Sequence, residues 1–216
     1  MRGLILVVLV SLAGILLWPA AKEPAAAPGG ELDAKSAALL AHVPENSPGT
    51  RIWYAASDYP RLELPGGHEE IVRSALNIKG PMAFGSFVWD EERIPKKGAM
   101  WVRVDLAHQI LSVFRGGHEI GSAVILYGTD GKPTPTGDFT VLQKSADYHS
   151  RTYDAAMPYM LRLTDDGVAV HGSNVREGYA THGCIGVPPE FAKKLFAAMA
   201  KGDPVFIVPD PQTKQG

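Results

Sequence analysis

The chain has 216 residues, 45% of them hydrophobic and 20% charged, with a formal net charge of −2 and a single cysteine. That balance is ordinary globular material, and the lack of a basic run argues against a nucleic-acid partner. One cysteine leaves no internal disulfide, so Cys184 is a free thiol.

Arg2 precedes an apolar run, Leu4 to Leu17, of export-signal type. The run falls short of the roughly 20 residues that span a bilayer, although Trp18 would extend it as an interfacial anchor. Small residues at Ala20, Ala21 and Ala25 to Ala27 offer cleavage sites, and no cysteine stands nearby to carry a lipid. Residues 1–21 are therefore expected to be a signal peptide or an anchor in the inner membrane, with the remainder in the periplasm or cell envelope. A free thiol in that oxidising compartment is a liability unless it is used.

Residues 22–32 read as a flexible linker, rich in Pro and Gly. Residues 33–98 form an N-terminal extension. Within it, 33–41 suit a short helix capped by Asp33, 44–49 break the chain, and 51–54 suit a brief strand. Pro60, Pro65, Gly66 and Gly67 hold turns. Ile71, Val72, Ala75 and Leu76 fall at helical spacing and predict a packing helix over 68–77. Residues 82–98, with Phe84, Phe87 and Trp89, read as an extended segment that pads a neighbouring sheet.

From 99 to 210 the pattern becomes alternation, and this span is expected to be the catalytic domain. Strands are predicted over 101–106, 109–114, 118–127, 139–143, 159–163, 167–170 and 205–208, with turns at 107–108 and 116–117. One helix starts at Pro188 or Pro189, buries Phe191, Leu195, Phe196 and Met199, and ends at Lys201-Gly202. The predicted fold class is mainly β, an antiparallel sandwich or open barrel with one helix packed after the cysteine turn.

The chemistry concentrates between His171 and Val187. A cysteine attacks carbonyls only as thiolate, so it needs a base or a positive environment and some exposure. His171 closes an alternating run that breaks at Gly172, and Cys184 lies on the turn Thr181-His-Gly-Cys, halted by Pro188. Two strand ends joined by a loop would bring the imidazole and thiol together. Gly183, without a Cβ, lets substrate reach the main chain, so the amides of Gly183 and Cys184 could face an oxyanion. Other readings of the same residues are a buried structural cysteine beside a structural histidine, or a zinc site of His171, His182 and Cys184 with Glu177 behind it. The glycines at 128, 131 and 137 lack the Gly-Lys-Ser/Thr ending of a phosphate loop.

His171-Gly-Ser-Asn followed by Thr181-His-Gly-Cys-Ile resembles the signature of the L,D-transpeptidases of the YkuD type, which cross-link peptidoglycan through a catalytic cysteine. Asp130-Gly-Lys-Pro-Thr-Pro-Thr-Gly-Asp-Phe139 resembles that family's Thr-Pro-x-Gly-x-Phe segment, and Met157-Pro-Tyr-Met160 its substrate wall. The resemblance runs from Trp101 to about Val208. It implies Cys184 as nucleophile, His171 as base, the Gly172 carbonyl as the group orienting the imidazole, and the backbone of His182, Gly183 and Cys184 on the oxyanion side. Tyr159 and Ser173 join the implied substrate-binding set.

The resemblance also implies donor and acceptor stem peptides as partners, acylation of the cysteine by carbapenems, and no cofactor or metal. A monomer is expected. Two departures stand out: Gly186 occupies a position where the family often has Arg or Asn, and the connection from His171 to Thr181 is shorter than usual. The first leaves open which residue grips a substrate carboxylate, with Arg151, Arg162 and Arg176 as candidates, and the second suggests a more open lid. An L,D-carboxypeptidase, a cross-link hydrolase or a silent wall-binding module remain as alternatives on the same fold.

Overall fold

The computed structural model describes residues 51–128 and 131–210. The expected export segment, the linker and the helix over 33–41 lie outside the described residues.

The extension starts with β1 (Arg51–Trp53), followed by β2 (Arg61–Leu64), β3 (His68–Ile71), β4 (Ser74–Leu76) and β5 (Phe87–Trp89). The predicted helix over 68–77 is thus two strands. Pro65, Gly66 and Gly67 form a tight turn, with Gly66 at φ +75, that folds β3 back on β2 with Leu64 opposite His68. Strand pairing overrides the helical spacing of Ile71, Val72, Ala75 and Leu76, because β4 inserts between β1 and the main sheet.

That sheet continues with β6 (Met100–Asp105), β7 (Ile110–Arg115), β8 (His118–Val124) and β9 (Gly137–Thr140). Next come β10 (Gln143–Ser150), β11 (Ala155–Arg162), β12 (Ala169–Gly172) and β13 (Ile185–Val187), then α1 (Pro189–Ala198) and β14 (Pro204–Val208). The fold is mainly β with one α-helix among the described residues, as the alternation predicted. The eight-stranded sheet runs β1-β4-β8-β7-β6-β14-β9, with β5 also paired to β8, and a four-stranded sheet runs β10-β11-β12-β13. Most pairs are antiparallel; β4 with β8, β6 with β14, and β12 with β13 are parallel.

Alternation sorts the side chains. Val102 and Val104 of β6 enter the main core with Leu111, Val113, Ile120, Val170, Ile185, Val187 and Ile207. Trp101 faces the other way, stacked on Phe114 with ring centroids 3.8 Å apart and covered by Leu64 and Val72 of the extension. Helix α1 buries Phe191, Ala192 and Leu195 against β11 and β12. Phe191 is fully buried, which stabilises the fold by about 2–3 kcal/mol. Phe87 and Trp89 meet its ring edge-on at 5.7 and 5.4 Å, so the 82–98 segment does pad the sheet. Gly121 allows that packing: a Cβ there would stand 2.5 Å from the Trp89 ring.

The extension is also tied down by charge. Arg51, 3% exposed, donates to Ser74 Oγ at 3.1 Å and to the carbonyls of Glu119 and Asp90, while the Leu76 amide donates to Glu119 Oε2 at 2.9 Å. Burial holds the Glu119 carboxyl above the usual carboxylate range.

Candidate active site

Cys184 immediately precedes β13, which lies parallel to β12 with Val170 opposite Ile185 and His171 opposite Gly186. Strand alternation then assigns the faces. Val170, Ile185 and Val187 are buried in the core, whereas His171, Gly186 and Cys184 share the opposite face. Cys184 thus lies two residues before the position opposite His171, diagonal to it on the same face.

The His171 ring is held by Nδ1 at 2.9 Å from the Gly172 carbonyl oxygen. A carbonyl only accepts, so Nδ1 carries the proton and Nε2 is left as the free acceptor. Burial lowers the His171 pKa, with the Gly172 bond pulling the other way. Cys184 is half-buried beside Met157, Met160 and Ala169, and its Sγ donates to the Gly167 carbonyl at 3.8 Å. Burial pushes its pKa up, opposed by a backbone hydrogen bond from Ala169 and by the charge of Lys132. Both shifts favour the uncharged forms, a thiol and a neutral imidazole.

The cysteine turn is braced from behind. Gly183 takes φ +98, a region glycine enters without strain. The Gly128 amide donates to Thr134 Oγ1 at 2.8 Å, and that hydroxyl donates to the Gly183 carbonyl at 3.0 Å. Thr181 Oγ1 donates to the Cys184 carbonyl, and the Thr181 amide to Tyr127 O at 3.0 Å. Leu126 and Gly186 exchange both backbone bonds, at 2.8 and 2.9 Å. With the Gly183 and Cys184 carbonyls taken up, their amides have no acceptor among the described residues. Thr134 lies in the Thr-Pro-Thr-Gly segment that the sequence singled out, but its bracing role needed the fold.

The other predicted residues scatter. Tyr159, at φ +57, turns its ring onto Phe196 of α1, centroids 5.9 Å apart, away from the cysteine. Its left-handed backbone breaks the period of β11, so Met157 and Met160, three apart, both reach the Cys184 side. Arg162 is spent on the β11–β12 turn, its Nε donating to Thr164 O at 2.9 Å. Arg176 donates to Asn174 Oδ1 at 3.0 Å in the exposed loop after β12. Arg151 sits at the exposed tip of the β10–β11 hairpin.

Ser173 fills the space above Gly186: a Cβ on Gly186 would come within 2.9 Å of Ser173 Cβ. The departure at Gly186 is therefore steric, since no longer side chain fits there without displacing Ser173. The short loop between His171 and Thr181 is pinned by Val175, buried against Val124 and Leu126. His182 stacks on Tyr153 at 4.8 Å rather than joining His171, and no group of three potential metal ligands occurs among the described residues. Tyr153, which the sequence did not single out, and Lys132, which it gave only as part of the run that resembles the family and with no role, flank the turn.

Residues 99–207 match the family model of the L,D-transpeptidase catalytic domain, YkuD, and the chain belongs to that family. It is 32% identical over 114 residues to L,D-transpeptidase 1 of Mycobacterium tuberculosis H37Rv, a match covering 45% of each chain, and the same protein of strain CDC 1551 matches equally. The chain thus spans less than half the length of these curated relatives. Among solved structures it is similar to an L,D-transpeptidase from Stackebrandtia nassauensis, with TM-score 0.49 and 30% identity, covering 55% of this chain and 60% of that one. It is also similar to the M. tuberculosis L,D-transpeptidase 1 crystal structure, with TM-score 0.44 and 28% identity, covering 51% and 62%.

Proposed function

We propose that the chain is an exported cysteine acyltransferase that joins peptidoglycan stem peptides by L,D-transpeptidation. The observation that carries this reading is the shared face of Cys184 and His171, with Nδ1 tied to the Gly172 carbonyl and Nε2 left free to take a proton. Family membership supports the reaction class.

In this mechanism Nε2 takes the thiol proton as sulfur attacks the carbonyl carbon of an L-centred residue linked to a terminal D-amino acid. The tetrahedral oxyanion faces the amides of Gly183 and Cys184. Collapse breaks the C–N bond, and the imidazolium gives its proton to the departing amine. An amine of a second stem peptide then attacks the thioester, passes its proton to His171, and expels the sulfur, which takes that proton back. The thiol leaves the Gly167 carbonyl to begin the cycle. His182 contributes backbone and a ring wall; Ser173 keeps Gly186 covered beside the base.

The test is intact-mass spectrometry of protein incubated with a disaccharide tetrapeptide, and separately with a carbapenem. The expected result is an adduct on Cys184, lacking the terminal D-residue in the first case, that disappears in Cys184→Ala and falls sharply in His171→Ala. A folded wild-type protein that forms neither adduct would overturn the reading. Product mass with and without an acceptor amine separates transpeptidation from hydrolysis.

A further inference from the structure

The Cys184 approach has a wall that none of the arginines supplies. Lys132 lays its stem along the residue before the cysteine: a Cβ on Gly183 would stand 3.7 Å from Lys132 Cγ. Its Nζ donates to Tyr153 Oη at 2.8 Å and lies 5.4 Å from that ring's centroid. Tyr153 in turn stacks on His182, centroids 4.8 Å apart and planes 17° from parallel. Three segments distant in sequence thus meet at one place: the loop before β9, the tip of the β10–β11 hairpin, and the cysteine turn.

An ammonium has three N–H donors. Tyr153 takes one, the Lys132 residue is exposed, and no other hydrogen bond of its ammonium is found among the described residues. No carboxylate stands within ion-pair distance of Lys132 among the described residues. The hydrogen bond to Tyr153 raises the Lys132 pKa, with the Asp166 charge adding to it, and the charges of Lys132 and Asp166 both reach Cys184, in opposite senses.

We infer that Lys132 is the residue that binds a substrate carboxylate beside Cys184, with Tyr153 holding the ammonium in place and the Tyr153–His182 stack forming the wall. The inference rests on the acyl-transfer reading and names the recognition element that reading lacks. The donor carries two carboxylates within range of the scissile bond. One is the terminus of the leaving D-amino acid, separated from the attacked carbonyl only by a nitrogen and an α-carbon. The other is on the side chain of the residue whose carbonyl is attacked, which the family resemblance makes a meso-diaminopimelate, a diamino acid, followed by D-alanine.

The experiment measures kcat/KM of the full chain, held in detergent for its apolar N-terminus, on three donors: the free tetrapeptide, its terminal D-alaninamide, and the form amidated on the diamino acid. Wild type should lose about tenfold on one amide, a value between an exposed ion pair and a hydrogen bond to a buried charge. That amide identifies the carboxylate. Lys132→Met should lose about tenfold on the free donor, mainly in KM, and no longer distinguish it from that amide; Lys132→Arg should recover most of the loss. Equal losses by Lys132→Met on all three donors, or no loss on any, would overturn the inference while leaving the acyl-transfer reading standing. A wild type that turns over none of the donors, with no adduct on Cys184, would overturn both.

Discussion

His171 and Gly186 face each other across the parallel strands β12 and β13, and the side chain that stands nearest Gly186 is that of Ser173. Any Cβ at Gly186 must move Ser173, and Ser173 follows His171 by two positions. Gly186→Ala is expected to destabilise the fold by about 1–3 kcal/mol, as overpacking does, and to slow adduct formation at least tenfold. Adding Ser173→Gly should return both. Thermal melts and the Cys184 acylation rate of the single and double variants check this; a double variant no better than Gly186→Ala would show that the crowding lies elsewhere.

Thr134 is the second brace. Its hydroxyl accepts from Gly128 and donates to Gly183, so Thr134→Val keeps the shape and strands two buried backbone groups. The expected cost is about 2 kcal/mol of stability, with kcat reduced more than KM because the turn that carries the nucleophile loosens. Thr134→Ser should restore the hydroxyl and most of the rate. Unfolding curves and steady-state kinetics of the two variants decide it.

Where the sequence spoke clearly, one physical rule was at work. The alternation of Trp101 to Asp105 needs two apolar environments, and the fold supplies one on each face of β6. The stripe of Phe191 and Leu195 needs one, and α1 has it. The common face of His171 and Cys184 follows from strand ends separated by a turn-rich loop, which the sequence shows and the parallel register of β12 and β13 carries. What was not legible depends on partners remote in sequence. Residues 68–77 have helical spacing, and only the glycine turn before them, with a waiting edge at β8, makes them strands. The short strand Ile185–Val187, squeezed between Gly183 and Pro188, was not predicted because its partners are β12 and Leu126. Nothing in the letters marks Tyr159 as left-handed, yet that one dihedral sends its ring to Phe196 and both methionines to the cysteine. Lys132 reaches the site by the path of a loop, which no spacing rule encodes.

The extension is built into the sheet through Arg51. Buried and bonded to Ser74, Glu119 and Asp90, it cannot be removed without leaving acceptors dry. Arg51→Ala is expected to cost about 3 kcal/mol, read as a lowered midpoint in urea. A chain shortened to start at residue 99 loses β1, β4 and β5 and bares the Trp101, Phe114 and Phe206 cluster; it should be insoluble. Soluble, cooperatively folding protein from that shortened chain would refute the structural role of residues 51–98.

The two protonation shifts at the site give the last prediction its sign. Burial lowers the His171 pKa, so the imidazole stays neutral as pH falls past its ordinary value of about 6.5, and the base is lost only below that. The acid limb of kcat/KM should therefore have its midpoint under about 6.5. By the same linkage the depressed pKa contributes stability that is present above about 6.5 and lost as pH falls through the folded value, so His171→Gln should unfold less steeply in acid. For Cys184 burial raises the pKa, and alkylation by iodoacetamide should accelerate with pH through a midpoint above the ordinary cysteine value of about 8.5. A thiol that alkylates at a constant, fast rate from pH 6 upward would mean a preformed thiolate–imidazolium pair. The neutral resting pair, and the general-base step that follows from it, would then have to be abandoned.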